Sequence, residues 1–187
     1  MALNIIVCGL GGQGILFVTR ILGRFALDSG HDMIGAETHG MAQRGGAVTS
    51  HLRLGPVRGS MVRRGTAQIL ISLDEYEAYR NMDFLAEGGE VYVNGREDAF
   101  PVEKASAYFA AGSVTCRVVP ARETAMEAGM PKSANLVLLG FFAAFERTPF
   151  TLEGLRNAVS AVSPRRFEQE NLKMFDEGAR RAFKKGS

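Results

Sequence analysis

The first forty residues combine an apolar run with an apolar stripe at helical spacing. Residues 3–8 form a short hydrophobic run that ends in glycine, which is typical of a strand buried on both faces. Apolar residues then recur three and four positions apart from Ile15 to Ala26, which predicts a helix, and Gly30 stands where a C′ glycine would end it. A second short strand is predicted over residues 31–36. The order strand, glycine turn, helix, strand indicates a right-handed βαβ unit.

The middle of the chain shows strand patterns of two kinds. Residues 47–54 alternate apolar and polar positions, and the Gly-Pro pair that follows marks a turn. Residues 57–62 are predicted to return from that turn as the second strand of a β-ribbon. Asp74 is the predicted N-cap of a helix that runs through Phe84. Three further apolar runs predict buried strands, over residues 68–73, 90–93 and 114–119.

Beyond Pro120 the apolar spacing becomes helical. Four helices are predicted, and the last of them is amphipathic; they cover residues 121–128, 133–146, 152–162 and 164–187. No internal repeat or low-complexity linker interrupts the sequence. We therefore predict a single domain over residues 1–187, with an α/β part and a helical C-terminal part.

Composition and charge narrow the classes of function. The 187 residues are 46% hydrophobic, and 22 basic against 20 acidic residues give a net charge of +2, too even to indicate a nucleic-acid or membrane partner. The most apolar run, residues 136–145, is half the roughly 20 residues that a membrane span needs, and no basic signal-peptide start precedes it. We expect a soluble, cytoplasmic chain whose residues 136–145 lie in the core or face a subunit in self-association.

Cysteine and histidine usage argues against a metal centre on this chain. Cys8 and Cys116 can supply neither a disulfide framework nor the four thiolates that an iron–sulfur cluster usually takes. His31, His39 and His51 match no common spacing of metal ligands. We therefore expect no metal site here, and no catalytic constellation emerges from the residue spacing.

The glycine segment Gly9–Gly14 fits the pattern G-x-G-x-x-G between a predicted strand and a predicted helix. Glycines permit a tight turn, and the N-terminus of the following helix offers free N–H groups to an anion. The candidate cofactor-binding residues are therefore Gly9, Gly11, Gly12, Gln13 and Gly14. In a nicotinamide enzyme an acidic residue about 20 positions further on binds the ribose, and Glu37 stands near that place. The alternative is a tight turn that binds no ligand.

Residues 37–46 are the most unusual segment, because charged and polar side chains stand there between glycines. The segment follows a predicted parallel strand, at the sheet edge where open α/β sheets bind ligands. Arg44 beside two glycines can present a guanidinium and backbone N–H groups to a phosphate or carboxylate. We predict a loop that binds an anionic ligand or forms an interface, with candidate residues Glu37, Thr38, His39, Gln43, Arg44, Gly45 and Gly46. The alternative is a solvated loop.

Four arginines make the predicted ribbon basic. They are Arg53, Arg58, Arg63 and Arg64. One interpretation is a set of solvated charges that protect a strand edge from unwanted pairing. The other is contact with an anion or with a partner protein.

Four blocks of this sequence resemble the gamma-type subunit of 2-oxoacid:ferredoxin oxidoreductases, and in particular the small (beta) subunit of indolepyruvate ferredoxin oxidoreductases. The blocks are Gly9–Ile15, Glu37–Gly46, the arm from Ser50 through Ser60, and Ser133–Gly140. Their order and spacing span nearly the whole chain. The second block is quite specific, whereas the first alone is not.

The resemblance implies a three-layer α/β/α fold with a mostly parallel, Rossmann-like sheet. It also implies a subunit of an enzyme that oxidatively decarboxylates 2-oxo acids, here aryl pyruvates such as indolepyruvate, to acyl-CoA while reducing ferredoxin. A large partner subunit would hold thiamine diphosphate, magnesium and the [4Fe–4S] clusters. This chain would bind no cofactor alone, would be inactive by itself, and would help to cover the active site or receive coenzyme A. Two alternatives stay open: an independent NAD- or flavin-dependent oxidoreductase, and a subunit that only forms an interface.

Overall fold

A computed structural model describes residues 2–40 and 45–183, with Lys104 described by its backbone alone. Within these ranges six strands form one sheet: β1 Leu3–Leu10, β2 Met33–His39, β3 Ala47–Leu54, β4 Ala67–Ser72, β5 Leu85–Asn94 and β6 Thr115–Val119. The helices of the described ranges are α1 Ile15–Asp28, α2 Glu75–Asn81, α3 Glu103–Ala111, α4 Ala121–Glu127, α5 Ala134–Ala143, α6 Leu152–Val162 and α7 Glu168–Phe183. The predicted α/β fold with a helical C-terminal part is confirmed, and α3 is the one helix among these that the apolar pattern did not predict.

The sheet is mostly parallel, with the strand order β2-β3-β1-β4-β5-β6. Strands β1, β4, β5 and β6 run parallel, whereas β3 is antiparallel to both of its neighbours, β1 and β2. Strand β2 therefore runs in the same direction as β1, as the predicted βαβ unit requires, but β3 lies between them. From β1 the chain crosses over to β2, on one side of β1 in the strand order, whereas from β4 it crosses over to β5, on the other side. The direction of the strand order therefore reverses between β1 and β4.

The prediction of a β-ribbon is wrong in its second strand. Residues 57–62 are neither helix nor strand, and β3 is an internal strand of the main sheet rather than an outlying ribbon. After the turn at Gly55 the chain runs past the end of the sheet at which β1 and β4 begin, and Val62 packs into the smaller core. The apolar and polar alternation of β3 was misleading, because an internal strand buries both faces, and Ser50 and His51 are buried together.

Helices cover both faces of the sheet and give the expected three layers. One core lies under α1, α4, α5, α6 and α7, and a smaller one lies under α2 and α3. Helix α5 is apolar on every side because it is enclosed between the sheet and α7. Residues 136–143 are consequently core within one chain, which leaves them unavailable for self-association. No helix within the described ranges has the length and apolarity required to cross a membrane.

The last predicted helix, over residues 164–187, is shorter in the structure. A short 3₁₀ turn over Arg165–Phe167 precedes α7, and residues 184–187 lie outside the described residues. The apolar stripe of α7 packs on α5, where Gly178 lies against Val137.

A partly buried ion-pair cluster joins β5 and β6 to the end of α5. Glu90 accepts hydrogen bonds from Arg117 Nη1 at 2.8 Å, from Arg147 Nε and from the hydroxyl of Tyr92. The guanidinium of Arg117 also lies over the ring of Phe145, 4.4 Å from its centroid. Glu90 is the shared acceptor of three donors, and its single negative charge lies between two guanidinium groups.

We expect Glu90→Gln to lower the free energy of unfolding by about 2 kcal/mol. The amide keeps the size of the side chain, but it loses the charge and turns an NH₂ group toward a guanidinium. Urea denaturation at pH 7 measures the change. The matched control is Asp98→Asn, because the Arg96–Asp98 ion pair is 67% exposed on both sides and solvent screens it, so its loss should change stability far less. Equal effects of the two substitutions would contradict this prediction.

Candidate functional site

The glycine turn after β1 is closed by its own glutamine. Gln13 Oε1 accepts a hydrogen bond from Leu10 N at 2.7 Å, and Gln13 N donates to Leu10 O at 3.1 Å. Gly12 and Gly14 have φ values of +93° and +85°, in the left-handed region that favours glycine. Among the described residues, no acceptor receives a hydrogen bond from Gly12 N or Gly14 N. The turn therefore presents free N–H groups at the start of α1, as an anion site requires.

Helix α5 closely approaches the end of this turn through one buried amide. Asn135 is 5% exposed, and its Nδ2 donates to Gly14 O at 3.3 Å. A Cβ at position 14 would overlap that amide group. Gly14 is thus required both by its backbone conformation and by the neighbour that fixes the turn against α5.

The second predicted segment divides into a strand and a loop. Glu37, Thr38 and His39 belong to β2, where they pair with β3, so the prediction that they lie in a loop is wrong. The strand pattern extends three residues further than its apolar part, because β2 is an edge strand whose end is open to solvent. Glu37 Oε2 lies 3.6 Å from His39 Nε2. Met41 and Ala42, together with the candidates Gln43 and Arg44, lie outside the described residues.

The structure brings the two glycine segments together, as their positions after parallel strands predicted. Gly11 N donates to Gly46 O at 2.9 Å. Residues Gly9 and His39 both pair with Val48, from opposite sides of β3. The glycine turn and the loop that contains Gly45 and Gly46 therefore meet at the carboxyl end of β1.

A cleft of about 310 Å³ opens beside the glycine turn, where the strand order reverses. We call it the carboxyl-end cleft; its lining includes Gly12, Gln13, Leu73, Asn94, Arg122 and Lys132. Asn94 builds one wall, because its Nδ2 donates to Leu73 O at 3.1 Å and its Oδ1 accepts from Arg122 N at 3.0 Å. Ligands of open α/β sheets bind outside the carboxyl ends of the strands at such a reversal.

The charge of the carboxyl-end cleft suits an anion. Arg122 and Lys132 line it, both are exposed, and no carboxylate contributes to its lining. Neither cation has a carboxylate within 4.0 Å in the described part of the chain. A guanidinium, an ammonium and free backbone N–H groups around one cleft are the donors that phosphate groups take.

A larger and more apolar hollow adjoins this cleft. Its volume is about 490 Å³, and it shares Pro131 and Lys132 with the carboxyl-end cleft. Phe17, Met130 and Phe167 contribute apolar walls to it. The pair of cavities offers a charged region next to an apolar one, which matches a ligand that carries phosphates on an aromatic or aliphatic body.

The sequence interpretation missed Asn94, Arg122 and Lys132. Asn94 is the last residue of β5, Arg122 lies in the first turn of α4, and Lys132 lies in the connection between α4 and α5, so strand order was the information that was lacking. Asn94 carried one signal, since it follows the predicted strand over residues 90–93 and precedes a glycine. Glu37, Thr38 and His39 do not line the carboxyl-end cleft.

Histidines and cysteines form no site of their own. Burial lowers the pKa of His51, whose Nδ1 accepts a hydrogen bond from Val62 N at 3.3 Å. Burial raises the pKa of the Cys8 thiol to about 12, and the thiol donates to Ser72 Oγ at 3.3 Å. Among the described residues, no three side chains of His, Cys, Asp or Glu come together in an arrangement that could hold a metal ion.

Both thiols are expected to resist alkylation in the native chain. Burial also raises the pKa of Cys116, to about 11, so at pH 8 roughly one Cys116 thiol in a thousand is ionised, and fewer of Cys8. Iodoacetamide labelling followed by mass spectrometry should find slow modification of half-buried Cys116 and none of Cys8. In urea both should react fully. The Cys116→Ser variant is the control, and rapid native labelling of it would contradict the burial of Cys8.

Comparison with known proteins gives a family model and full-length relatives. The model described as pyruvate ferredoxin/flavodoxin oxidoreductase matches residues 4–181. The chain is 36% identical to "Indolepyruvate oxidoreductase subunit IorB" of Archaeoglobus fulgidus, over 97% of this chain and 96% of the relative. It is 29% identical to "2-oxoglutarate synthase subunit KorC" of Methanocaldococcus jannaschii, over 95% of this chain and 92% of that relative.

Solved structures share the fold. The gamma subunit of a keto/oxoacid ferredoxin oxidoreductase from Geobacter sulfurreducens PCA superposes with a TM-score of 0.77 at 24% identity, over 97% of this chain and 99% of that one. A 2-oxoglutarate:ferredoxin oxidoreductase from Magnetococcus marinus, described with 2-oxoglutarate, coenzyme A and succinyl-CoA bound, gives a TM-score of 0.75 at 21% identity. This chain matches 31% of the latter's length.

Proposed function

Because the chain belongs to the pyruvate ferredoxin/flavodoxin oxidoreductase family, we propose that it is the small subunit of a 2-oxoacid:ferredoxin oxidoreductase. Indolepyruvate or another aryl pyruvate is the proposed substrate class, since the relative with 36% identity carries indolepyruvate in its name. The complex would form acyl-CoA and reduce ferredoxin in the cytoplasm. We treat residues 1–187 as a single domain of that enzyme.

The observation that carries the site assignment is the carboxyl-end cleft. Arg122 and Lys132 face a glycine turn with free N–H groups, and no carboxylate lines the cleft. We propose that this cleft receives phosphate groups of coenzyme A and that the adjoining hollow beside Phe17 receives an apolar part of the same molecule. The turn residues Gly9, Gly11, Gly12, Gln13 and Gly14 would shape the cleft. The segment of Glu37, Thr38, His39, Gln43, Arg44, Gly45 and Gly46 would border the active site or the subunit interface.

An iron–sulfur cluster does not suit this chain. Such a cluster usually takes four thiolates, whereas the sequence has two cysteines, Cys8 and Cys116, whose thiols have pKa values raised by burial. We therefore assign the [4Fe–4S] clusters to a large partner subunit, and we assign thiamine diphosphate and magnesium to it because the resemblance to the family implies that. Bound there, thiamine diphosphate supplies the carbanion chemistry of decarboxylation. This chain contributes binding and orientation of coenzyme A, and alone it would be inactive.

Reconstitution tests the proposal. The chain and its large partner are expressed separately and together, and indolepyruvate-dependent reduction of viologen is measured with coenzyme A present. We expect activity from the complex only. Full activity of the large subunit alone would refute the need for this chain. The Arg44→Ala variant tests the glycine-rich loop, and an unchanged KM for coenzyme A together with unchanged assembly would remove Arg44 from the site.

An independent nicotinamide enzyme is disfavoured by the strand order. In a dinucleotide-binding fold the acid that binds ribose ends the strand next to β1. Here β3 lies between β1 and β2, so Glu37 stands on a strand two spacings from β1, roughly 9–10 Å away, instead of on the neighbouring strand. Equilibrium dialysis of the purified chain against NAD and FAD provides the check, because retention of either would revive that alternative.

A further inference from the structure

The connection between β3 and β4, residues 55–66, is irregular but firmly held; we call it the basic arm. Arg53 Nη1 donates to Gly59 O at 2.8 Å, and Val62 N donates to the buried ring of His51. Val62 itself is buried in the smaller core. The middle of the arm is therefore fixed by one charged hydrogen bond, one buried hydrogen bond and one core side chain.

Both ends of the basic arm are fixed as well. Gly55 N donates to Asp32 O at 2.8 Å, and Gly65 N donates to Asp83 O at 2.8 Å. Asn4 Nδ2 donates to Thr66 O at 2.9 Å. The arm contains no helix or strand, but five hydrogen bonds and one core side chain hold it, so its exposed side chains have a defined arrangement.

The side chains that this arm exposes are basic, with one large apolar residue among them. Arg58, Arg63 and Arg64 are exposed, and Met61 is 48% exposed. Within the described ranges, Arg64 forms one ion pair, with the exposed carboxylate of Asp83 at 3.6 Å. Within the described part of the chain, no carboxylate lies within 4.0 Å of Arg58 or Arg63. The sequence contains no acidic residue between positions 38 and 73, although the whole chain carries only +2.

The basic arm and the carboxyl-end cleft lie at opposite ends of the parallel strands. Strand β3 ends at Leu54, which pairs with Leu3 at the start of β1, and Ala67 begins β4 on the same edge. The cleft, in contrast, lies at the carboxyl ends of β1 and β4. The two surfaces can therefore be changed separately.

We propose that the basic arm is a docking surface for an acidic patch of the large partner subunit. This inference rests on the proposed function, because it takes the assembly with that subunit as given. Arginine and methionine are enriched in protein–protein interfaces, and a fixed arm loses little conformational freedom on binding. Among the described residues no carboxylate pairs with Arg58 or Arg63, which matches carboxylates supplied by another surface.

A nucleic acid is a poorer occupant of the same surface. Binding to a phosphate backbone draws on many cations, whereas this arm exposes three arginines and one large apolar side chain, and the chain as a whole is nearly neutral. Met61 gains from burial against a protein surface and gains nothing from a phosphate backbone. A protein surface that offers both carboxylates and apolar area is the chemistry that fits.

The experiment compares two double charge reversals in the full-length chain. R58E/R63E changes the basic arm, and R20E/R165E changes two exposed arginines that likewise have no carboxylate within 4.0 Å among the described residues. Binding to the immobilised large subunit is measured at 50 and 300 mM NaCl, after thermal melts have shown that each variant is folded. We expect R58E/R63E to raise the Kd about 30-fold at low salt and to flatten its salt dependence. R20E/R165E should stay within about twofold of the wild type.

A substitution without charge supplies an independent measurement. Met61→Ala should raise the Kd about threefold without altering the salt dependence, because only apolar burial is lost. If the wild-type chain does not bind the large subunit, the proposed function itself fails and this inference with it. If the wild type binds and R58E/R63E binds equally well, only this inference is overturned. If R58E/R63E assembles normally but weakens ferredoxin reduction, self-association or DNA binding, this inference is overturned. The occupant of the arm would then be ferredoxin, a second copy of the chain or DNA, respectively.

Discussion

Alanine at Gly140 or Gly178 is expected to destabilise the protein by about 3 kcal/mol or more. Helices α5 and α7 are in backbone contact: a Cβ at Gly140 would overlap the carbonyl oxygen of Phe175, and one at Gly178 would overlap that of Val137. Both neighbours are main-chain atoms, so no side chain can move aside, and the two helices would have to separate. Helix propensity alone predicts the opposite sign, since alanine is favoured over glycine by about 1 kcal/mol.

Gly23→Ala is the matched control for this prediction. Gly23 also lies inside a helix, but the nearest atom to an added Cβ is the flexible end of Met33. We expect a change of less than about 1 kcal/mol there, of either sign. Urea denaturation of the three variants separates backbone contact from propensity. Changes in the free energy of unfolding at positions 140 and 178 that are no larger than the change at Gly23 would contradict the close contact between α5 and α7.

Reversal of both cations of the carboxyl-end cleft is expected to raise the KM for coenzyme A about 30-fold or more in the assembled enzyme. R122E/K132E replaces two donors for phosphate by two carboxylates in a cleft that otherwise has none. The kcat should change little, because bound coenzyme A would still meet the same reaction centre on the partner subunit. Steady-state kinetics with coenzyme A varied and the 2-oxo acid saturating give both constants.

The control for this effect is R20E/K173E, which reverses one exposed arginine and one exposed lysine away from the cleft. It should leave the KM for coenzyme A within about twofold. A raised KM for the 2-oxo acid instead, or equal effects of the two double variants, would remove the cleft from coenzyme A binding. Binding to the large subunit is measured for the same variants, so that a change in the KM for coenzyme A is distinguished from a loss of assembly.

The local elements of the fold could be predicted because their signals are local. Asp74 caps α2 as predicted, since its side chain accepts from Tyr76 N and Glu77 N. The apolar runs of β1 and β4 are buried strands, and the run that ends at Val119 forms the edge strand β6, of which Val118 and Val119 are buried. Helix α7, residues 168–183, follows the same local rule. Its apolar residues recur at helical spacing, and the face that they form is buried.

Predictions that depended on which strands are neighbours failed. Glu37 seemed placed for a ribose, but β3 separates it from β1. Residues 57–62 follow the turn at Gly55 as a returning strand would, yet they are neither helix nor strand and form part of an anchored arm. Neither fact has a local signal, because strand order arises from contacts between residues far apart in the chain.

The sequence by itself determined the class of fold, the glycine turn with its free N–H groups, the helix boundaries near Asp74 and Pro120, and the lack of a thiolate set for a cluster. Tertiary structure alone decided that Asn94, Arg122 and Lys132 meet that turn, and that the arginines of the basic arm lie at the opposite edge. The physical reason is that capping and periodicity act over a few residues, whereas a cleft forms where strand order reverses and distant segments come together.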